Sequence, residues 1–292
     1  MQKTAKAKDS QRIKELRFII LLLRENPLIF TGLLMVIIVL AIAIITPIIV
    51  PYSTNTRVDY INQRLPPSSM HILGTDEMGR DLLRVIFWGA TIDLSAVAVV
   101  LSGALAIAIP LGSIAGYIGG KVDEVIMRFT DIFLAFPPLI LAMAIAAVVG
   151  RSFENLLFSI TIVYWSDICR LIRGQVLGEK EKTYVEALRA SGVSHLRIIV
   201  LHILPNTFQP ILIQITFKIS WVILAFAGLN FLGFGPGPFT PEWGQLISNG
   251  HTYFFQAPHI VIFSGIAILF TSLGFNLLGD GLRDVLDPKL RR

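Results

Sequence analysis

The sequence has little charge and almost no cysteine. Asp, Glu, Lys and Arg make up 15% of its 292 residues, whereas soluble domains carry about 25%. The single cysteine, Cys169, excludes an internal disulfide framework, and the five histidines lack the spacing typical of metal ligands. Composition therefore argues against a soluble domain and gives no support for a metal site in this chain.

The sequence also lacks a complete phosphate-binding loop. The nearest stretch is GYIGGKV, residues 116–122. Ala115 stands where the motif requires its first glycine, and Val122 stands where a Ser or Thr would hold magnesium. We therefore expect this chain to bind no ATP or magnesium, and we assign no catalytic residue.

Long hydrophobic runs dominate the remaining sequence. The run 27–50 contains no charge and exceeds the about 20 residues that a helix needs to cross a bilayer. It lies too far into the chain to be a signal peptide. Five further runs are residues 94–117, 132–149, 156–176, 208–229 and 259–278. The sequence therefore predicts an all-α membrane protein with six transmembrane helices.

Basic residues are concentrated on one side of these predicted spans. Cytoplasmic segments of membrane proteins carry such an excess of Lys and Arg. We therefore predict a cytoplasmic segment 1–26, a transmembrane domain 27–292 and a cytoplasmic loop 178–206, with both termini in the cytoplasm. Residues 51–92 and 231–258 become extracytoplasmic loops. Anionic lipid accounts for the net charge of +5, so no nucleic-acid partner is expected.

The stretch EALRASGVSHLRIIVLHILPN, residues 186–206, predicts a helical hairpin in the cytoplasmic loop. Small residues favour a short first helix, and Gly192 can adopt the left-handed conformation that ends it. Ser194 can cap a second helix running to Leu204. Pro205 should end that helix because its ring interrupts the hydrogen-bond ladder. We therefore expect two short helices exposed in the cytoplasm.

The spacing of this hairpin resembles the EAA loop of the permease subunits of ATP-binding-cassette importers. The resemblance lies in E-A-L at residues 186–188, in Gly192, and in L-P at residues 204–205. Two residues depart from the usual loop. Leu188 stands where Ala is common, and His202 stands where Ile is usual.

Three other stretches are similar to the second permease of dipeptide, oligopeptide and nickel importers. They are HILGTDEMGRD (71–81), TPEWG (240–244) and GFNLLGDGLRDVLDPKLRR (274–292). With the hairpin, four motifs occur in one order along the chain. The resemblance covers residues 26–292.

This resemblance implies a type I importer permease that forms half of a translocation pore and works by alternating access. It implies as partners a second homologous permease subunit, two ATPase subunits that hold ATP and magnesium, an extracytoplasmic substrate-binding protein, and membrane lipid. It places ATPase coupling on the hairpin, at Glu186, Ala187, Leu188, Ala190, Gly192, Leu204 and Pro205. The implied cargo is dipeptides or oligopeptides, with oligosaccharides or nickel complexes as alternatives.

The predicted extracytoplasmic loops hold five candidate gate or docking residues. Asp76 and Arg80 have the spacing of a simple ion pair that fixes the entry to the second span, and Asp81 follows them. Glu242 and Trp243 lie in a loop rich in Gly, Pro and aromatic residues. That loop is either a gate beneath a docked binding protein or a re-entrant segment that packs its aromatic rings at the membrane interface.

Charged residues inside predicted spans are candidates for function, because burying a charge in lipid is costly. Lys218 is the candidate pore residue, facing a polar path or pairing with an acid of the second permease. Asp167 and Arg170 share a helix face and are predicted to neutralise each other. Asp93 and Asp131 stand at predicted span ends, where they can reach the interface.

Two other classes of protein are less compatible with the sequence. An intramembrane enzyme needs a nucleophile facing a base, and the best pair, Ser264 and His259, lies on different helix faces. A secondary transporter or channel predicts paired repeats with broken helices. No second half of that kind is visible in the sequence.

Overall fold

The computed structural model describes residues 27–53 and 57–286, which form helices joined by loops without any strand. The α-helices in this part of the chain are α1 (Pro27–Ile49), α2 (Leu82–Ile118), α3 (Gly120–Leu134), α4 (Pro138–Val149), α5 (Phe153–Lys180), α6 (Thr183–Ala190), α7 (His195–Ile198), α8 (Leu204–Phe231), α9 (Trp243–His251) and α10 (Pro258–Leu286). The all-α prediction is confirmed. The predicted cytoplasmic segment 1–26 and residues 287–292 of the C-terminal motif lie outside the described residues.

Five helical segments of the described chain are long and apolar enough to cross a membrane. They are α1, α2, α5, the continuous run His195–Phe231 that contains α7 and α8, and α10 as far as Asp284. Helices α3 and α4 pass the same test only together, and they meet at 85°. The predicted six spans are therefore reached when this bent pair crosses as one.

The third predicted span, 132–149, is wrong as a single helix. Helix α3 ends at Leu134, and α4 begins at Pro138, directly after Pro137. A proline offers no backbone N–H and crowds the preceding turn, so two in succession break the helix. The 12 residues of α4 rise only about 18 Å, less than the ~30 Å of hydrocarbon, so α4 needs α3 to complete a crossing.

Helix α2 is much longer than its predicted span and begins at Leu82 rather than Leu94. Its N-cap is Asp81, whose carboxylate accepts a hydrogen bond from the Arg84 amide at 3.2 Å. Its 37 residues rise about 55 Å, which exceeds the ~30 Å of a bilayer core. We call the end that carries loops 57–81 and 232–257 the loop end, and the end that carries residues 181–198 the hairpin end.

The centre of the bundle is the contact of α2 with α5, which is the most extensive between any two described helices. Glycine allows it: a Cβ at Gly112 would stand 2.6 Å from the Cys169 carbonyl oxygen, and one at Gly116 would stand 2.8 Å from that of Arg173. On the other side, α10 packs against α1 and α8. The small residues of α2 thus let α2 and α5 approach each other closely.

Candidate coupling hairpin and loop-end site

The first arm of the hairpin is α6, which ends in the predicted left-handed turn. Gly192 has φ +76°. Its amide donates to the Arg189 carbonyl at 3.0 Å, and the Val193 amide donates to the Leu188 carbonyl at 3.1 Å. This pair of bonds satisfies carbonyls that the helix end would otherwise leave unpaired. The turn at Gly192 is therefore confirmed as a helix stop.

The second arm differs from the prediction, because Pro205 does not end it. Residues Ile199–Ile203 form a π-helical turn that runs directly into α8, and Pro205 lies in the first turn of α8. The Leu204 amide reaches back to the Ile199 carbonyl. A wider turn of this kind accommodates a residue that lacks an N–H. Ser194 stands at the predicted cap position of α7 but makes no capping bond with its side chain.

The inner side of the hairpin is anchored to the bundle. Val185 and Ile198 are fully buried. The Tyr117 hydroxyl, near the end of α2, lies 2.9 Å from His195 Nδ1, and the Arg189 guanidinium stacks 4.9 Å from the centre of the Tyr117 ring. These contacts attach the hairpin to the end of α2.

The outer side of the hairpin is open. Four of the predicted coupling residues, Glu186, Ala187, Ala190 and Gly192, are exposed, and so is Pro205. The other two, Leu188 and Leu204, are partly buried and pack against the core. The first arm thus presents small side chains and the Glu186 carboxylate to a partner, and the second arm adds the exposed apolar side chains of Leu196 and Leu201.

At the loop end, Asp76 and Arg80 form the predicted ion pair, at 2.5 Å and fully buried. It belongs to a turn rather than a helix, because the Asp76 carboxylate also accepts the Met78 and Arg80 amides at 2.9 and 2.8 Å. Arg80 reaches across to the Phe239 carbonyl at 3.0 Å. The pair therefore joins loop 57–81 to loop 232–257.

Asp81 closes the same loop in a different way. Besides capping α2, its carboxylate lies 2.8 Å from His71 Nδ1. Both contacts lie within the HILGTDEMGRD motif, which gives this stretch a local structural role. The neighbouring Glu77, partly buried, accepts a hydrogen bond from Asn249 of α9 at 2.7 Å. Burial, with the charge of Asp76, raises the pKa of Glu77 to about 7.

Glu242 is fully buried and caps α9. Its two carboxylate oxygens accept the Gly244 and Gln245 amides at 2.8 and 2.6 Å. Burial raises the pKa of Glu242 from 4.5 to about 7, although these two hydrogen bonds act in the opposite direction. Its carboxyl group is also close enough to that of Asp93 on α2 to interact with it electrostatically, and a proton on either acid reduces their repulsion.

The placement of Asp93 corrects the sequence prediction. Because α2 begins at Leu82, Asp93 lies well inside the helix and is buried rather than at the interface. Its carboxylate also receives the Trp243 amide at 3.4 Å. Asp93 and Glu242 are far apart in sequence and share no motif, so no local pattern indicates their contact.

Trp243 is buried rather than placed at a membrane surface. Its indole N–H donates to the Ile86 carbonyl at 3.0 Å, and its ring fills the space over Gly89, where a Cβ would stand 2.5 Å away. Phe255, in contrast, is almost fully exposed. Trp243 therefore belongs to the core of the loop end, whereas Phe255 remains on its surface.

The charges inside the spans pair differently from the prediction. Asp167 forms an ion pair with Lys218, and Arg170 pairs with Asp131 of α3, so Asp167 and Arg170 do not neutralise each other. One turn further, Arg173 pairs with Asp123 at 2.5 Å. Lys218 thus has a partner within its own chain. Sequence reasoning missed this partner because Asp167 lies on α5 and Lys218 lies on α8.

Ser264 and His259 do not form a catalytic pair. The Ser264 hydroxyl donates to the Ile260 carbonyl at 2.8 Å, and His259 Nε2 lies 3.0 Å from the Thr75 carbonyl oxygen. Each side chain is thus engaged by backbone. Among residues 27–53 and 57–286, no cluster of three or more His, Cys, Asp or Glu side chains is arranged to hold a metal ion.

Comparison with known proteins agrees with this architecture. Residues 108–292 match the family described as binding-protein-dependent transport system inner membrane component, and residues 19–67 match the N-terminal TM domain of oligopeptide transport permease C. One chain of the MetNI methionine ABC transporter, solved in inward-facing conformations, superposes with a TM-score of 0.55 at 18% identity, covering 70% of this chain and 98% of that one. At that identity the likeness establishes the fold.

Several curated relatives are similar over nearly the whole chain. The dipeptide transport system permease protein DppC of Alkalihalophilus pseudofirmus is 40% identical over 92% of this chain and 88% of its own length. The glutathione transport system permease protein GsiD of Pectobacterium atrosepticum is 38% identical over 92% and 89%. The probable D,D-dipeptide transport system permease protein DdpC of Escherichia coli is 39% identical over 94% of both. The chain therefore belongs to the family of inner-membrane permease components of binding-protein-dependent transport systems.

Proposed function

We propose that this chain forms half of the translocation pore of an ATP-driven importer of dipeptides or oligopeptides. The observation that carries the proposal is the hairpin, whose inner side is anchored to the bundle while Glu186, Ala187 and Ala190 are exposed on its outer side. The three relatives are named for transport of dipeptides or glutathione. All of these are short peptides, which supports a peptide cargo.

The hairpin is suited to receive the motion of a partner ATPase. Its small outer side chains allow close approach, and Glu186 can meet a basic group. Its first arm is tied to α2 through Tyr117, and its second arm continues into α8 without a break. A displacement of the hairpin would therefore move two spans together, as alternating access requires.

The other components and their sides follow from the same proposal. The hairpin end lies in the cytoplasm with both termini, and the loop end faces an extracytoplasmic substrate-binding protein. Two ATPase subunits bind ATP and magnesium and perform all hydrolysis, and a second homologous permease completes the pore. Asp76, Arg80, Asp81, Glu242 and Trp243 then maintain the shape of the surface beneath the binding protein.

Replacing the glycine at the hairpin turn tests this coupling. We expect Gly192→Val to lower peptide uptake by about tenfold while ATP hydrolysis continues, because a β-branched residue strains a backbone at φ +76°. A Cβ there would meet nothing within 4 Å, so the effect comes from the turn and not from a clash. Uptake and hydrolysis are measured together in proteoliposomes that hold the complete transporter and its binding protein.

Gly192→Asn is the matched control. Asn tolerates the left-handed conformation, so we expect this variant to keep most of the coupling. Wild-type uptake by Gly192→Val would contradict the role of the hairpin. A wild-type transporter that couples hydrolysis to the uptake of another cargo, and takes up no peptide, would contradict the substrate alone.

A further inference from the structure

An ion pair lies half-way along two membrane-crossing helices. Asp167 of α5 pairs with Lys218 of α8, and each residue stands near the middle of a 28-residue helix. The helical rise places the pair about 20 Å from either helix end. The pair therefore lies near the middle of the membrane, where cargo in transit is furthest from bulk water on either side.

Neither charge is sealed inside the bundle. The side chain of Asp167 is 49% exposed and that of Lys218 is 22% exposed. Contact between a charged group and lipid hydrocarbon is costly. In the assembled transporter this surface therefore faces water or protein, and not lipid.

The pair lines a cavity of about 400 Å³, with aromatic walls formed by Phe133, Tyr164 and Trp221. Pockets for small ligands are of the order of 300–1,000 Å³, so the cavity matches a short peptide in size. Its mixture of apolar rings and two opposite charges also matches such a ligand, because a peptide has charged ends and side chains between them.

The break between α3 and α4 borders the same cavity, through Leu134 and Pro138. Non-helical backbone at membrane depth is tolerated where it is buried in protein or lines a water-filled cavity. Discontinuous helices form mid-membrane substrate sites in other classes of transporter. The bend is therefore a second indication, independent of the charges, that this cavity belongs to the translocation path.

A second ion pair continues the charged surface. Arg170, one helical turn from Asp167, pairs with Asp131 of α3, and both side chains are about half exposed. Acidic and basic groups thus lie close together along one side of α5. A molecule with both charges can exchange partners along such a surface without leaving either of its charges unpaired.

We infer that Asp167 and Lys218 form a transit site for zwitterionic peptides. Asp167 receives the ammonium group of the peptide, Lys218 receives its carboxylate, and the aromatic walls contact its side chains. When the site is empty, the two residues neutralise each other. This assignment rests on the proposed function and identifies residues of the pore that would contact the cargo.

Neutral variants test the site in the complete transporter. We expect Asp167→Asn, Lys218→Met and the double variant each to lower the initial rate of dipeptide uptake by about tenfold, equivalent to ~1.4 kcal/mol. Co-purification of the companion subunits reports assembly. The double variant leaves no unpaired charge, so it remains informative where a single variant fails to assemble. Glu124→Gln/Arg128→Gln, an exposed pair on α3, is the control and should transport normally.

Photo-crosslinking tests contact with the cargo directly. A dipeptide with a photoreactive side chain should crosslink to this chain in the complex without its binding protein, and the double variant should lose that crosslink. Alanyl-alanine should compete with the probe, whereas its N-acetylated and C-amidated derivative should not.

Three outcomes would overturn the transit site: wild-type uptake by the double variant, no crosslink in a wild-type complex that takes up dipeptide once its binding protein is added, or equal competition by the blocked peptide. The first of these would show that the pair only joins α5 to α8. Absence of dipeptide uptake by the wild-type complex would overturn the proposed substrate as well, so the two failures are distinguishable.

Discussion

The carboxyl group of Glu242, at the loop end, is subject to two effects that shift its pKa in opposite directions. Glu242 caps α9 with both oxygens, which favours its ionised form, and it is fully buried, which favours its protonated form. Burial prevails, so the pKa of Glu242 is raised to about 7. The contact between loop 232–257 and α2 is therefore sensitive to pH near neutrality.

We expect the purified protein to lose thermal stability as the pH rises from 5 to 8. The raised pKa of Glu242 means that the folded chain retains a proton which the unfolded chain releases near pH 4.5. The stabilisation from this group is therefore complete below about pH 4.5 and is lost as the pH passes through about 7. Glu242→Gln should reduce the fall in melting temperature by about 3 °C, the shift that ~1 kcal/mol produces in a chain of this size.

Glu77 should contribute to the pH dependence with the same sign. Its pKa is also raised to about 7, by burial and by Asp76, while Arg80 and Asn249 act in the opposite direction. The melting temperature of the double variant Glu77→Gln/Glu242→Gln should thus depend less on pH than that of either single variant. Glu124→Gln, which removes an exposed acid on α3, controls for the loss of one charge. A wild-type slope in Glu242→Gln would show that this carboxyl group is not protonated in the folded chain.

Local sequence signals predicted some residues of the site well and others not at all. The turn at Gly192 and the ion pair of Asp76 with Arg80 involve only residues close together in the sequence, so their spacing was sufficient to predict them. The contacts of Asp93 with Glu242 and of Asp167 with Lys218 join distant helices. Their formation depends on how the bundle packs, which hydrophobic periodicity does not encode.

At the scale of elements, the wrongly predicted helix ends occur at prolines, where packing against neighbouring helices decides whether a helix continues. Pro205 follows a helical pattern and was predicted to end it, yet the chain forms a π-helical turn over Ile199–Ile203 and continues as α8. The two prolines at 137–138 act in the opposite way and break a run that was apolar enough to look continuous. Proline position alone does not distinguish these outcomes, because neighbouring helices decide whether a widened turn is supported.

Close packing of α2 on α5 provides a test at this scale. Gly112→Ala should lower the thermal stability of the purified chain, because its Cβ would stand 2.6 Å from the Cys169 carbonyl oxygen and backbone cannot move aside easily. Overpacking of this kind costs about 1–3 kcal/mol. The measurement is thermal unfolding in detergent, with the yield of folded protein from membranes as a second readout.

Gly174→Ala is the matched control on α5. A Cβ at Gly174 meets nothing within 4 Å, and alanine favours a helix over glycine by about 1 kcal/mol, so this variant should be as stable as the wild type or more so. Equal stability of the two variants would show that the helices can separate at Gly112 without cost.

At the scale of the whole molecule, the hairpin and the extracytoplasmic candidates lie at opposite ends of one long helix. The Asp81 cap of α2 belongs to the loop end, and Tyr117 near its other end contacts His195 of the hairpin. Charge distribution predicted this separation and the sides of the membrane, because basic residues gather in the segments assigned to the cytoplasm. The separation is confirmed, and the orientation stays a prediction.

Cysteine labelling tests the orientation without a cysteine-free background, because the native Cys169 is buried. Ser69→Cys and Ser194→Cys place exposed thiols at the loop end and the hairpin end. A membrane-impermeant maleimide should label Ser69→Cys in spheroplasts, and it should label Ser194→Cys only in inverted vesicles. The reverse pattern would contradict the cytoplasmic position of the hairpin.

Repeating the labelling in the presence of the ATPases separates orientation from assembly. In inverted vesicles that contain the companion ATPases, labelling of Ser194→Cys should slow, because the outer side of the hairpin becomes covered. Ser69→Cys should react in spheroplasts as before, since it lies at the other end of α2. Slower labelling at both positions would indicate a general change in the chain rather than a partner bound to the hairpin, and would contradict the proposed docking surface.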